Sequence, residues 1–304
     1  METAVCCIVR KENRYIREFV SWYLDTLGFT KVVIYDNGVG DEESPTEVLT
    51  DYTSTGRVEI VDWRGYKKNA HILAYNDFML KRQMLFDWMA FVDADEFISF
   101  NDKTSLKKIS DFLSLPCFND VDEIKLNWLI HNDNDLAEAD YSLPIQERFK
   151  EPVHVGDAWP TSNVWLKPIV RGRFADGRCF DNTSGVGPHG ICYRYCQLPH
   201  KVVTASGIEL PIPSDTMTVA INENTDYDVC FVRHYMFKTI GEYIDRQTIG
   251  WPDDVIINNQ TVCDKINNVF FAYNRLTDEK AEIIRRRIEG WVSPETSFRI
   301  LHFN

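Results

Sequence analysis

The segment Trp88-Met89-Ala90-Phe91-Val92-Asp93-Ala94-Asp95-Glu96-Phe97 constrains the fold of this chain more than any other. Met89 to Val92 is a short continuous apolar run, the pattern of a strand covered on both faces. It runs straight into three carboxylates, and Phe97-Ile98 resumes the apolar character behind them. The acids therefore lie at a strand end between two buried segments, not at the tip of a solvated loop. In extended chain Asp93 and Asp95 point to the same side, and two like charges there need a counter-charge. A hard divalent cation bound through oxygen supplies one and can hold the phosphates of a second ligand at the same time. Open α/β sheets bind ligands at the carboxyl ends of their strands. The motif is thus placed for a metal–diphosphate site.

The N-terminal stretch supplies the start of such a sheet. Ala4 to Val9 reads as a buried strand. Tyr15, Ile16, Phe19, Val20, Tyr23, Leu24 and Leu27 recur at helical spacing, with Gly28 as the stop. Lys31 to Tyr35 is a second strand, so the chain opens β–α–β with parallel strands. Neither G-x-G-x-x-G nor a P-loop occurs. Further strands are expected over 57–62, 123–130, 164–173, 190–195 and 230–234. Helices are expected over 45–52, 71–86, 106–113, 240–247 and 278–288. The helix over 71–86 is expected to carry an apolar stripe that includes Leu73, Met84 and Leu85. No repeat or linker interrupts the chain. The expectation is one α/β domain: a Rossmann-like nucleotide-binding half over 1–130 and a less regular acceptor half over 131–304.

Charge narrows the partners. There are 46 acids against 33 bases, a net charge of −13, and no long basic run, which excludes nucleic acid. The 8 cysteines show no C-x-x-C pair; Cys192-x-x-x-Cys196 comes nearest, and reduced buried thiols are expected. Met1-Glu2 before a short apolar run is no secretory signal, and no stretch approaches the ~18 apolar residues of a membrane span. A cytoplasmic protein is expected, with peripheral association at the inner face of a membrane allowed.

Four pieces in order carry a family likeness. They are Val9-x-Lys11-Glu12-Asn13, Ile34-Tyr35-Asp36-Asn37, Trp88-x-x-Phe91-x-Asp93-x-Asp95-Glu96-Phe97 and His234-Tyr235-x-x-Lys238. Across roughly residues 4 to 250 the chain resembles the GT-A glycosyltransferases, specifically family 2-like and family 92-like enzymes. The resemblance implies a mixed, mainly parallel central sheet flanked by helices, a UDP-sugar donor, and Mn²⁺ or Mg²⁺ on its diphosphate. By position it implies Val9 and Arg10 at the base pocket with Glu12 beside it, and Asp36 on the uracil or ribose. It implies Asp93 on ribose or metal, Asp95 and His234 as metal ligands, and Lys238 against a phosphate. Imidazole favours Mn²⁺ over Mg²⁺. Lys67, Lys68 and His71 are further candidates for the diphosphate. Two of these residues have a local reading as well: Asp36 in Asp-Asn-Gly forms an Asx-turn, and Glu12 sits favourably at a helix start.

Inverting transfer requires a base for the acceptor hydroxyl. Asp157 and Asp181 are the candidates, with Glu147 behind them. Trp128, Trp159 and Trp165 offer faces on which the C–H side of a sugar packs. The resemblance places His189 near the acceptor. The expected activity is metal-dependent, inverting transfer of a hexose from a UDP-sugar to a saccharide or glycolipid acceptor, in surface polysaccharide assembly. Two alternatives stand beside it. One is a nucleotidyltransferase acting on sugar phosphates, against which the missing Gly-rich basic N-terminal loop counts. The other is a non-catalytic carbohydrate-binding protein on the same fold.

Overall fold

A computed structural model describes residues 1–65, 68–153, 163–172, 179–181, 187–195, 200–249 and 259–288. Its strands are β1 (Thr3–Val9), β2 (Lys31–Asp36), β3 (Val58–Asp62), β4 (Trp88–Phe91), β5 (Glu96–Phe100), β6 (Glu123–Ile130), β7 (Leu166–Arg171), β8 (Val202–Thr204) and β9 (Cys230–His234). Among the described residues they form one sheet in the order β3-β2-β1-β4-β7-β6-β9-β5, with β8 added on β6. β1 pairs in parallel with both β2 and β4, and β2 in parallel with β3. β7 is antiparallel to β4 and to β6. This is the mixed, mostly parallel, helix-flanked sheet that the sequence led us to expect. After β3 the chain crosses back to the far side of β1, so the strand order reverses between β2 and β4. That reversal is a topological switch point, where open α/β sheets bind ligands.

The apolar runs explain the strands. Ala4 to Cys7, Val32 to Tyr35 and Met89 to Val92 are fully buried, as strands between two helical layers must be. The first helix differs in detail from the sequence reading. It is α-helical over Asn13–Ser21 and widens to a π-turn over Trp22–Thr26 before Gly28, at φ +80°, ends it. The helix Ala70–Arg82 is shorter than expected, and its stripe is rotated. It buries His71, Tyr75, Phe78 and Met79, while Leu73, Leu80, Met84 and Leu85 face solvent. Aromatic packing decides this: Tyr75 packs tilted and Phe78 edge-to-face against Phe91, at 4.9 and 5.6 Å.

The strand expected over 190–195 does not form; short 3₁₀ turns at Gly187–His189 and Tyr193–Tyr195 replace it. The backbone explains why. Ile191 N bonds the Glu123 carboxylate, Cys192 N bonds Cys179 O and Tyr193 N bonds Met217 O. Three partners on three different segments leave no ladder. Cys6, Cys7, Cys179, Cys192, Cys230 and Cys263 are buried thiols and Cys117 an exposed one; Cys196 lies outside the described residues.

The chain divides into two compact units: 1–128 with 163–233, and 129–162 with 234–304. The second unit has its own polar anchors. Thr239 and Glu242 cap the helix Ile240–Ile249 reciprocally, and Lys280 pairs with Asp133 at 2.5 Å, both fully buried. No helix among the described residues is long and apolar enough to cross a membrane.

Candidate active site

Strand register brings the N-terminal candidates to one edge. Val9 at the end of β1 lies opposite Asp36 at the end of β2, and Asp36 opposite Asp62 at the end of β3. Asp36 is 4% exposed. It accepts from Gly38 N at 3.0 Å, which is the Asx-turn, from Ser44 Oγ at 2.8 Å and from Arg64 Nε at 3.0 Å. Arg64 also donates to the carbonyls of Gly40, Glu42 and Glu43. The guanidinium packs over Gly38, where a Cβ would lie 2.6 Å from it and would push it off its present position. Arg10 forks onto Glu42 through two 2.9 Å bonds, with Lys11 Nζ at 3.1 Å from the same carboxylate. The fork to Arg10 and the lysine outweigh burial and hold the Glu42 carboxyl down at about 2. Glu12 caps the first helix through its backbone, its carbonyl accepting from Tyr15 N and Ile16 N. Sequence reasoning did not find Arg64 or Glu42, since neither stands in a motif.

The acids after β4 are not on extended chain, as the alternation argument supposed. Glu96 N bonds back to Asp93 O at 3.0 Å, so Asp93 to Glu96 forms a tight turn between β4 and β5. Val92 and Phe97 on either side are fully buried, as the flanking apolar runs implied. Glu96 turns inward and is fully buried; its carboxylate accepts from Asp93 N at 2.8 Å. Tyr23 fixes β5 behind it, donating to Glu96 O at 2.9 Å and accepting from Ile98 N at 3.1 Å. Asp93 and Asp95 remain half-exposed on the outer side of the turn.

Two bases face Asp93. Lys167 Nζ lies 2.7 Å from its Oδ2 and 3.1 Å from Glu96 Oε2. His71 Nε2 lies 3.3 Å from its Oδ1. Burial works against the charge on Asp93, but Lys167 and then His71 outweigh it and hold its carboxyl down at about 2. Burial likewise opposes the charge on Lys167; Asp93 and Glu96 reverse this and push its ammonium well above the ordinary lysine value. The signal for Lys167 was present in the sequence and went unread. A lysine inside Trp165-Leu166-Lys167-Pro168-Ile169-Val170 must be buried, and a buried lysine needs an anion.

Beside this cluster stands an aromatic group. The His189 ring lies 4.5 Å from Trp165 and 5.1 Å from Trp128, all three half-exposed. Lys167 Nζ is 6.0 Å from the Trp128 ring. His189 Nδ1 is 2.9 Å from Leu166 O. A carbonyl only accepts, so Nδ1 carries the proton and Nε2 is the bare nitrogen. Burial, and then the charge of Lys167, push the His189 ring down to about 3, so it is neutral at physiological pH. Its carbonyl accepts from Lys125 Nζ, which pairs with Glu123 at 2.8 Å in the core behind.

Asp181 is half-buried and follows Phe180, whose ring packs 4.7 Å from Phe91. Asn76 clamps the segment by accepting from Cys179 N and Phe180 N and donating to Phe180 O. Asp157, Trp159 and Lys67 lie outside the described residues; Lys68 and Glu147 are exposed. His234 and Lys238 belong to the second unit. Both are buried there, His234 O accepts from His131 N at 3.0 Å, and Lys238 holds a left-handed backbone at φ +52°.

A divalent ion finds a partial donor set. No three His, Cys, Asp or Glu side chains among the described residues are grouped to hold one. Asp95 in the turn suits an ion that brings diphosphate oxygens with it, the arrangement magnesium sites commonly use. A separate cavity of about 630 Å³ opens over β8 and the loop after it. Among the described residues Glu209, Asp215, Glu223 and Asp226 line it and no basic side chain does, a lining that repels a diphosphate.

Residues 3–145 match the profile of glycosyltransferase family 92. Over that span the chain is similar to the family 92 glycosyltransferases. The family 92 segment covers just under half of the 304 residues and includes Asp36, Asp93 and Asp95. Lys167, Asp181, His189 and His234 fall beyond it. No curated protein matches the sequence. Among solved structures, TarS from S. aureus overlays 98% of this chain and 45% of its own, at 11% identity and TM-score 0.33. The chain thus spans less than half of TarS. The TarS 1-349 fragment in complex with UDP overlays 100% of this chain and 76% of its own, at 11% identity and TM-score 0.31. At such TM-scores the description of the fold rests on the strand pairing itself.

Proposed function

We propose that this protein is a glycosyltransferase related to family 92 that moves a hexose from a UDP-sugar to a saccharide or glycolipid acceptor, with inversion at the anomeric carbon. One observation carries the reading. Inside the family 92 segment, Asp93 and Asp95 stand half-exposed on a turn directly after β4, beside the switch point at β1. The family match also favours this reading over a nucleotidyltransferase.

The chain's own residues divide the work. Val9, Arg10, Glu12 and Asp36 line the strand edge that receives the nucleoside. Asp93, its carboxylate held by Lys167, is the candidate contact to the donor's ribose. Asp95 would hold Mn²⁺ or Mg²⁺; His234 and Lys238, in the second unit, keep the metal and phosphate roles that the resemblance implies for them. Such an ion, when bound, offsets the charge that grows on the departing diphosphate. The sugar ring packs its C–H face on Trp128 and Trp165, and His189 Nε2 accepts from one of its hydroxyls. Asp181 or Asp157 takes the acceptor hydroxyl proton as the oxygen attacks the anomeric carbon. A place at the cytoplasmic face of a membrane, in assembly of a surface polysaccharide, fits a glycolipid acceptor.

Thermal melting tests this reading. UDP with Mn²⁺ should stabilise the protein more than either alone, and Asp95→Ala should lose that linked gain while melting normally without ligand. If UDP leaves the melting temperature unmoved with and without Mn²⁺, the proposed donor is wrong.

A further inference from the structure

We propose that Lys167 is a resident counter-cation, a positioning residue that keeps Asp93 from serving as a metal ligand and so sets how weakly the nucleotide-free protein takes up a divalent ion. The geometry points to it directly. Two carboxylates, Asp93 and Glu96, lie within 3.1 Å of one ammonium. That ammonium is 1% exposed at its side chain, and Glu96 is fully buried. His71 Nε2 approaches the other oxygen of Asp93 at 3.3 Å. Asp93 therefore meets a base on each of its oxygens before any ligand arrives.

The consequence is electrostatic. A bare acid pair on a tight turn attracts divalent ions without substrate, which would fill the site unproductively. With Lys167 in place the charge of Asp93 is answered from within, and an incoming ion is repelled by an ammonium close to the carboxylate it would seek. An ion that carries a diphosphate brings its own oxygens and needs only Asp95. The strand that carries Lys167 enforces this, because β7 runs antiparallel against β4 and cannot slip. The inference rests on the transferase reading for the identity of the donor and not for the behaviour of the metal.

The experiment measures Mn²⁺ uptake by the nucleotide-free protein, from the electron paramagnetic resonance signal of the free aqueous ion. Lys167→Met should bind Mn²⁺ at least tenfold more tightly than the parent, and Lys167→Arg should match the parent. Adding Asp93→Asn to Lys167→Met should remove the gain, since the gain comes from releasing Asp93. A merely structural lysine would give equal or weaker binding on removal, and that result overturns the proposal. Should Lys167→Met fail to fold, Glu96→Gln with and without Lys167→Met replaces it: tenfold tighter binding in the double variant supports the proposal, and parity overturns it. Because no nucleotide is present, a failure of UDP to bind would sink the transferase reading alone.

Discussion

Lys167 Nζ sits 2.7 Å from Asp93 Oδ2, joining β7, the antiparallel neighbour of β4, to the turn that follows β4. The pair is separated by 74 residues. It depends on β7 lying against β4 in the register Met89 to Val170 and Ala90 to Ile169. Anything that shifts β7 moves the charge that faces the candidate site.

Gly172, the residue after β7, controls that register. A Cβ there would lie 1.8 Å from Phe86 O and 2.8 Å from Gln83 O, both backbone atoms that cannot rotate away. Gly172→Ala should cost about 3 kcal/mol of stability, at the upper end for overpacking. Urea unfolding measures it. A variant as stable as the parent would mean that the close approach of β7 to the 83–86 segment is not maintained in solution.

Tyr23 supports the turn from below. Tyr23→Phe keeps the ring packing on Phe19 and Phe29 but strands Glu96 O and Ile98 N without their shared hydroxyl. The expected loss is about 2 kcal/mol, the cost of leaving buried backbone groups unpaired. Denaturant titration gives the value, and a loss below about 0.5 kcal/mol would place that hydroxyl outside the load path.

His189 gives the pH dependence a definite sign. Its ring is pushed down to about 3 in the folded chain, by burial first and Lys167 second, against about 6.5 when unfolded. Between those values the unfolded state binds the proton and the folded state does not. Stability is therefore full above about 6.5 and declines as pH falls toward about 3. Calorimetry from pH 7 to pH 4 should show a steeper fall in melting temperature for the parent than for His189→Gln. Parallel curves would contradict the neutral imidazole.

In the second unit, Lys280→Met should destabilise by about 4 kcal/mol at neutral pH, because it leaves the carboxylate of Asp133 buried and unanswered. Burial already raises the Asp133 carboxyl despite Lys280. Without the lysine it rises further, so the folded variant takes up a proton first and recovers stability as pH falls. Urea titrations at pH 7 and pH 4 should show a smaller deficit at the lower pH; an equal deficit would rule out the charge as its cause.

The sequence by itself determined the elements whose burial is continuous along the chain. The apolar runs of β1, β2 and β4 and the turn acids behind Val92 could be read directly, because a strand covered on both faces has no other composition available. So could the helical stripe before Gly28. What only the tertiary structure decided were relationships between distant residues: Lys167 with Asp93 and Glu96, Arg64 with Asp36, and the trio Trp128, Trp165 and His189. The segment 190–195 and the exposed face of the helix Ala70–Arg82 were misread for the same reason. Local alternation does not say which neighbour will supply the hydrogen bonds or the aromatic surface, and here Glu123, Cys179, Met217 and Phe91, all remote in sequence, supplied them.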